Sequence, residues 1–248
     1  MTEAGTEARE ERPAWYALAS GGWRDYVTLL HVPYTAWHLS YVVIGGCLAS
    51  GVAWGRLGAT VAAFALALGI AAHALDELNG RPLRTRIPRD VLIALAVAST
   101  AGACAIGLVV LVPFRPWLTL LVPVGVFLLV AYNLELFGGR FHTDLWFGLA
   151  WGGFPLLCGY AAVAGGLDAT AILAAGFAVC LSLAQRVLST PVRDVRRRTR
   201  AVHGQIERLD GRVEELDAAR LIAPSEKALR LLALAIVLLA VALVILRS

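Results

Sequence analysis

Two short polar stretches interrupt a chain that is otherwise mostly apolar. They are His73-Ala-Leu-Asp76-Glu77-Leu-Asn79-Gly80 and Thr190-Pro-Val-Arg193-Asp194-Val-Arg196-Arg197-Arg198. Each begins where a long apolar segment ends, and each places a carboxylate there. A carboxylate at a membrane boundary is costly unless it binds something. In the first stretch His73, Asp76 and Glu77 stand at i, i+3 and i+4 and so share one face of a helix end, with Asn79 three residues beyond Asp76. Acids at a helix C-terminus oppose the macrodipole, which points to a task beyond anchoring. In the second stretch Arg193 and Arg197 flank Asp194, an arrangement suited to clamping a diphosphate. Paired sites of this kind suit a metal ion bridging to a diphosphate, because Mg²⁺ takes a few carboxylates plus phosphate oxygens.

Three further groups stand near these stretches. His31, Tyr34, His38 and Tyr41 are spaced 3, 4 and 3 and fall on one helix face. They read either as an interfacial belt with packing hydrogen bonds or as one wall of a substrate cavity. Asn133, Glu135, Arg140 and His142 surround a Gly138-Gly139 turn and read as a solvated loop or as contributors to the same site. Ser182, Gln185 and Ser189 form a polar stripe that leads to the second stretch.

The elements that must position these residues are membrane helices. Of 248 residues 58% are hydrophobic and only 16% charged, below the roughly 25% usual for soluble domains, and the mean hydropathy is +0.70. The expected fold is an all-α polytopic bundle of about seven spans around a central cavity, at 37–54, 58–75, 91–112, 117–132, 145–165, 170–190 and 229–246. Residues 1–13 are charged, expected to lack structure, and carry no signal-peptide pattern, so the first span is expected to direct insertion. Residues up to 36 form a cytoplasmic segment with an interfacial helix, its entry bent at Pro33. With the N-terminus inside, only Arg56, Arg115 and Arg247 of the 22 basic residues fall outside. Both polar stretches then lie on the cytoplasmic face of a cell-membrane protein. Gly148, Gly152 and Gly153 permit close helix contact, and Pro155 should kink the fifth span. The four cysteines lack CxxC spacing, which argues against zinc and against a disulfide framework. No central intramembrane charge marks an ion pathway, and nothing suggests a nucleic-acid partner.

The region 191–228 is expected to hold the second motif as a loop and then an amphipathic helix. Val202, Ile206, Leu209, Val213 and Leu216 recur at 4, 3, 4 and 3, although Gly204 and Gly211 weaken the pattern. Over 201–222 such a helix would serve as a lid on the cytoplasmic mouth or as a contact with a second protomer or another partner.

The pattern resembles the UbiA superfamily of intramembrane prenyltransferases over roughly residues 37–200. Residues 72–82 fall where that family has an NDxxDxxxD motif, and 190–198 fall where it has a second, DxxxDxxxD-like one. The stretch Phe147-Gly-Leu-Ala-Trp-Gly-Gly-Phe-Pro-Leu-Leu-Cys-Gly-Tyr160 looks like its Gly-rich fifth helix. The resemblance implies a helical bundle that binds an isoprenyl diphosphate through Mg²⁺ held by both motifs. Loss of diphosphate then gives an allylic cation that an acceptor traps. Here one Asp stands in each motif: Ala72, His73 and Gly80 replace the other first-motif positions, Thr190 and Arg198 the other second-motif ones. The resemblance thus makes Asp76 and Asp194 the catalytic and metal-binding residues. His73, Glu77, Asn79, Arg193, Arg197, Tyr34, His38, Tyr41 and Asn133 would contact the substrate. The alternatives are a non-catalytic prenyl-lipid binder or accessory protein on the same scaffold, or a membrane terpene cyclase.

Overall fold

The computed structural model describes residues 12–248; the charged residues before these, expected to lack structure, lie outside the described part. The chain folds as a helix bundle with one small hairpin. A short helix α1 (Trp23–Leu29) leads into α2 (Val32–Leu48). Six longer helices follow: α3 (Trp54–Leu78), α4 (Arg89–Leu111), α5 (Pro116–Asn133), α6 (Asp144–Ala164), α7 (Ala169–Arg198) and α8 (Ala218–Arg247). These six are long and apolar enough to cross a membrane. At 17 residues α2 is slightly shorter, yet it lies at the centre of the bundle, against α6, α8 and α3. Large apolar side chains such as Val97, Val109, Leu173, Phe177, Leu231, Leu238 and Leu246 point outward, as lipid-facing positions do.

Apolar burial does little to drive helices together in lipid, so close backbone packing matters more. At the α2–α6 crossing a Cβ on Gly45 would collide with the Leu156 carbonyl, and one on Gly159 with the Val42 carbonyl. These two glycines let the helices touch backbone to backbone. Around them Trp37, Tyr41, Ile44 and Leu156 form the core with Ala178 of α7 and Ile236 of α8. The end remote from the polar stretches is closed by arginines on helix C-termini. Arg56 donates to the carbonyls of Ala162 (2.8 Å) and Val163 (3.1 Å), and Arg247 to that of Cys47 (2.9 Å). Cations there satisfy orphan carbonyls and complement the dipole.

Several boundaries differ from those the pattern suggests. The helix at the first expected span, α2, begins five residues earlier, because Pro33 occupies its first turn, where a missing N–H costs nothing. The interfacial helix shrinks to α1, since Gly21 and Gly22 with positive φ break the chain before it. Two helices contain π turns, Ala65–Ala71 in α3 and Gly148–Gly153 in α6, the latter just before Pro155. Gly152 lies against α7, where an added Cβ would sit 2.5 Å from the Ala178 carbonyl.

The largest correction concerns 190–222. The second polar stretch is no loop: α7 runs through it to Arg198, with Pro191 inside the helix. Nor is 201–222 an amphipathic helix. Strands β1 (Gly204–Glu207) and β2 (Val213–Leu216) pair antiparallel, and α8 begins at Ala218 under an Asp217 cap. The signal passed over is Asp210-Gly211, a strong hairpin turn, with Gly211 at φ 81°.

Candidate functional site

A polar cavity of about 130 Å³ opens at the end of the bundle where both motifs lie. Three elements supply most of its chemistry. Along α7, Gln185, Arg186, Ser189, Arg193 and Arg197 recur at helical spacing and line one wall. From α2 come Tyr34 and His38, and from the end of α3 comes Asp76. Tyr132 and Asn133 of α5 and His142 of the following loop complete the ring, with Phe147 and Trp151 of α6 as apolar wall. The residues before α1 close over the mouth: Pro13 to Tyr16 line the cavity, and the Pro13 carbonyl accepts from Arg197 Nε at 3.2 Å. Trp15 stacks under Arg230 of α8 (4.8 Å).

Asp76 and Glu77 are neighbours with opposite surroundings. Glu77 is fully buried behind the cavity. Its carboxylate accepts from Leu83 N (3.0 Å), Thr85 N (2.8 Å) and Thr85 Oγ1 (2.8 Å), and so holds the loop 79–88 against α3. Asp25 does the same from α1, accepting from Gly21 N and Arg86 N. Asp76 faces the cavity, and among the described residues its carboxylate has no hydrogen-bond partner. Substrate contact expected of Glu77 is therefore corrected: the acid at the helix end is tied to the next loop's donors. Asn79 is corrected likewise, since its exposed side chain donates to the Asn133 carbonyl (3.2 Å) outside the cavity.

Asp194 lies elsewhere. One residue past Arg193 on a continuous helix is about 100° around the axis, which turns it off the cavity wall. Its half-exposed side chain pairs with Arg198 at 3.3 Å. Asp76 and Asp194 thus do not line one site. Among the described residues no three His, Cys, Asp or Glu side chains gather to hold a metal. The cavity's donor set is one carboxylate among Arg186, Arg193 and Arg197, which does not fit a Mg²⁺ ion shared by the two motifs.

The aromatic face divides. Tyr34 and His38 line the cavity, whereas Tyr41 is in the core, accepting from Trp37 Nε1 (2.6 Å) and Ser182 Oγ (3.2 Å). His73 stands one row back. Its ring stacks on His31 at 3.9 Å, and its Nε2 meets Thr35 Oγ1 at 3.3 Å. His31 precedes α2 in a left-handed conformation and bonds through Nδ1 to the Tyr16 hydroxyl (3.1 Å). Burial, then the neighbouring His73 and the positive Arg197 and Arg193, hold the His31 pKa well below the usual histidine value; burial pushes the Tyr16 hydroxyl up. Both are neutral near pH 7. The Asn133 side chain donates to Leu129 O (2.7 Å) at the cavity edge.

Tyr16, Tyr132 and Arg186 are cavity residues that sequence reasoning passed over. Arg186 pairs with Asp144 (2.8 Å) and lies over Phe147. Its position on the Gln185-to-Arg197 stripe was visible once that stripe is extended along one helix. Tyr16 carried no signal, because an irregular segment has no periodicity. Beside the polar cavity lies a wholly different one, a cleft of about 120 Å³ between α3, α4, α5 and α6. It is lined by apolar and small side chains including Phe64, Leu68, Ile106, Val126 and Phe154. Trp151, in the π turn of α6, lines both. π turns recur at functional sites, where they re-aim side chains.

Comparison with family models, curated proteins and solved structures finds no match to this chain.

Proposed function

We propose that this membrane protein takes the anionic head of a phosphorylated lipid, an isoprenyl diphosphate among them, into the polar cavity, with the lipid's chain in the adjoining cleft. The observation that carries this reading is that an arginine-bearing chamber and an apolar cleft lie side by side, with Trp151 lining both. Arg193 and Arg197 supply charge and directed N–H donors for phosphate oxygens. Anion binding would release Arg197 from the Pro13 carbonyl and so loosen the segment over the mouth. Side-chain placement favours binding on a UbiA-like scaffold over metal-bridged transfer, because Asp194 is turned outward. Catalytic prenyl transfer is the second reading, favoured by the Asp76 carboxylate inside the cavity, which has no hydrogen-bond partner among the described residues. The motif end would face the cytoplasm, in the cell membrane.

The test uses purified protein in nanodiscs with farnesyl and geranylgeranyl diphosphate, in Mg²⁺ and in chelator. Saturable binding that survives chelator, with no pyrophosphate released, supports the binder. Mg²⁺-dependent pyrophosphate release that Asp76→Asn abolishes would favour transfer instead. Absence of binding under both conditions, to these lipids and to phosphatidic acid, removes the anionic-lipid reading.

A further inference from the structure

Buried polar side-chain atoms without a partner are rare in folded proteins, and each costs about 1–3 kcal/mol. Among the described residues three such atoms occur: Trp15 Nε1, His38 Nδ1 and Gln185 Oε1. All three residues line the same polar cavity. Trp15 has the Tyr34 hydroxyl beside it and the His38 ring has the Trp151 backbone beside it, so the unmet demand rests first on Gln185 Oε1, with the remaining capacity of the His38 ring beside it; each residue is only 4% exposed.

The chemistry of that demand is specific. Arg186, Arg193 and Arg197 are donors only, and a diphosphate or phosphodiester near pH 7 offers acceptors only. Phosphate can satisfy the arginines, but it has nothing to give an amide oxygen. Gln185 Oε1 needs a donor, and a neutral imidazole nitrogen takes either role depending on its tautomer. One hydroxyl meets both when it donates to Gln185 and accepts from an N–H of His38; with the other His38 tautomer a second hydroxyl of the same polyol donates to the ring. With the amide turned over, the N–H would be met by a phosphate oxygen as well as by a hydroxyl; it is the observed placement, with Oε1 as the buried atom, that calls for a donor. An apolar residue at position 185 would have removed the unmet group altogether, so its presence points to a ligand.

We propose that the ligand of this cavity presents a neutral hydroxyl to Gln185 and His38 besides the anionic group held by the arginines; a polyol phosphodiester headgroup has that chemistry. The inference rests on the anionic-lipid reading above and narrows it. Selectivity should be large for one group, because a site built to bond a hydroxyl rejects the analogue that lacks it.

The experiment compares two lipids of equal charge in nanodiscs. Phosphatidylglycerol carries hydroxyls, and phosphatidylmethanol does not. The wild-type protein should bind phosphatidylglycerol at least about tenfold more tightly, worth about 1.4 kcal/mol. Gln185→Met should erase that preference, and Arg193→Gln should weaken both lipids alike. The melting temperature of ligand-free Gln185→Met should stay level or rise. A fall would show that Gln185 supports the fold, which overturns the inference, as would equal wild-type affinity for the two lipids. His38→Phe gives a second variant with the same expected loss of preference. Free glycerol that restores phosphatidylmethanol binding would assign the hydroxyl to a separate molecule, with the same recognition. Wild-type protein that binds neither lipid but still binds a prenyl diphosphate or phosphatidic acid overturns this inference alone; failure with all of them removes the anionic-lipid reading as well.

Discussion

The two polar stretches end their helices in opposite ways. At the first, α3 stops at Leu78 and the chain folds back as a loop, so adjacent acids part company. Asp76 faces the cavity, and Glu77 turns away to bind the loop's donors. At the second, α7 runs on to Arg198, so the helix keeps one face toward the cavity and places basic residues there. Asp194, about 100° away, goes to solvent. The first stretch contributes an acid and the second contributes arginines. The difference teaches that a motif's chemistry depends on whether the helix continues through it.

The sharpest way to break this contrast is at Glu77. Glu77→Ala leaves buried Leu83 and Thr85 donors unpaired and should destabilise the protein by about 3 kcal/mol, seen as a lowered midpoint in denaturant titration in detergent. An unchanged midpoint would mean that Glu77 does not hold the loop. Next in size is the arginine face. The double variant Arg193→Gln, Arg197→Gln should weaken prenyl diphosphate binding at least about tenfold, or 1.4 kcal/mol, and retained affinity would detach the second stretch from the cavity.

A pH effect tests the wall between the two stretches. His31 is held neutral in the folded protein by burial and by His73, Arg197 and Arg193. In the unfolded chain it takes up a proton near pH 6.5. The unfolded state therefore binds more protons as pH drops below that value, so stability is level above about 6.5 and falls beneath it, by less than about 1.4 kcal/mol per pH unit. His31→Asn, which tolerates the left-handed conformation, should lessen the slope measured by thermal unfolding between pH 7.5 and 5. The smallest effect belongs to Asp194. Asp194→Asn breaks an exposed i,i+4 pair and should cost under about 0.5 kcal/mol, with lipid affinity within about twofold. A large loss of affinity would return Asp194 to the site.

Much of the bundle was legible from hydropathy alone. Six apolar segments correspond to helices long enough to span, and the seventh, α2, differs mainly by its start at Val32. The cavity face of α7 was legible in part, since Gln185, Ser189, Arg193 and Arg197 follow one helical stripe. Pro191 masks the stripe's continuity, because proline usually ends a helix yet is tolerated within one where neighbours re-satisfy the backbone. The hairpin was hidden by the 4-3-4-3 spacing of apolar residues, which is a helical pattern; the Asp210-Gly211 turn overrides it, and Val213 and Leu216 lie on opposite faces of β2.

Sequence by itself determined the class of this protein. It placed two polar stretches at helix ends, and apolar periodicity needs no partner to be read. Tertiary structure decided what each polar residue does. Glu77 and Asp76 are adjacent and chemically alike, but only the fold of the next loop shows which one meets backbone donors. Arg193 and Asp194 are adjacent, and only the continuation and seating of α7 show which one faces inward. The physical reason is direction: a side chain's type is local, whereas where it points depends on backbone that later contacts hold in place.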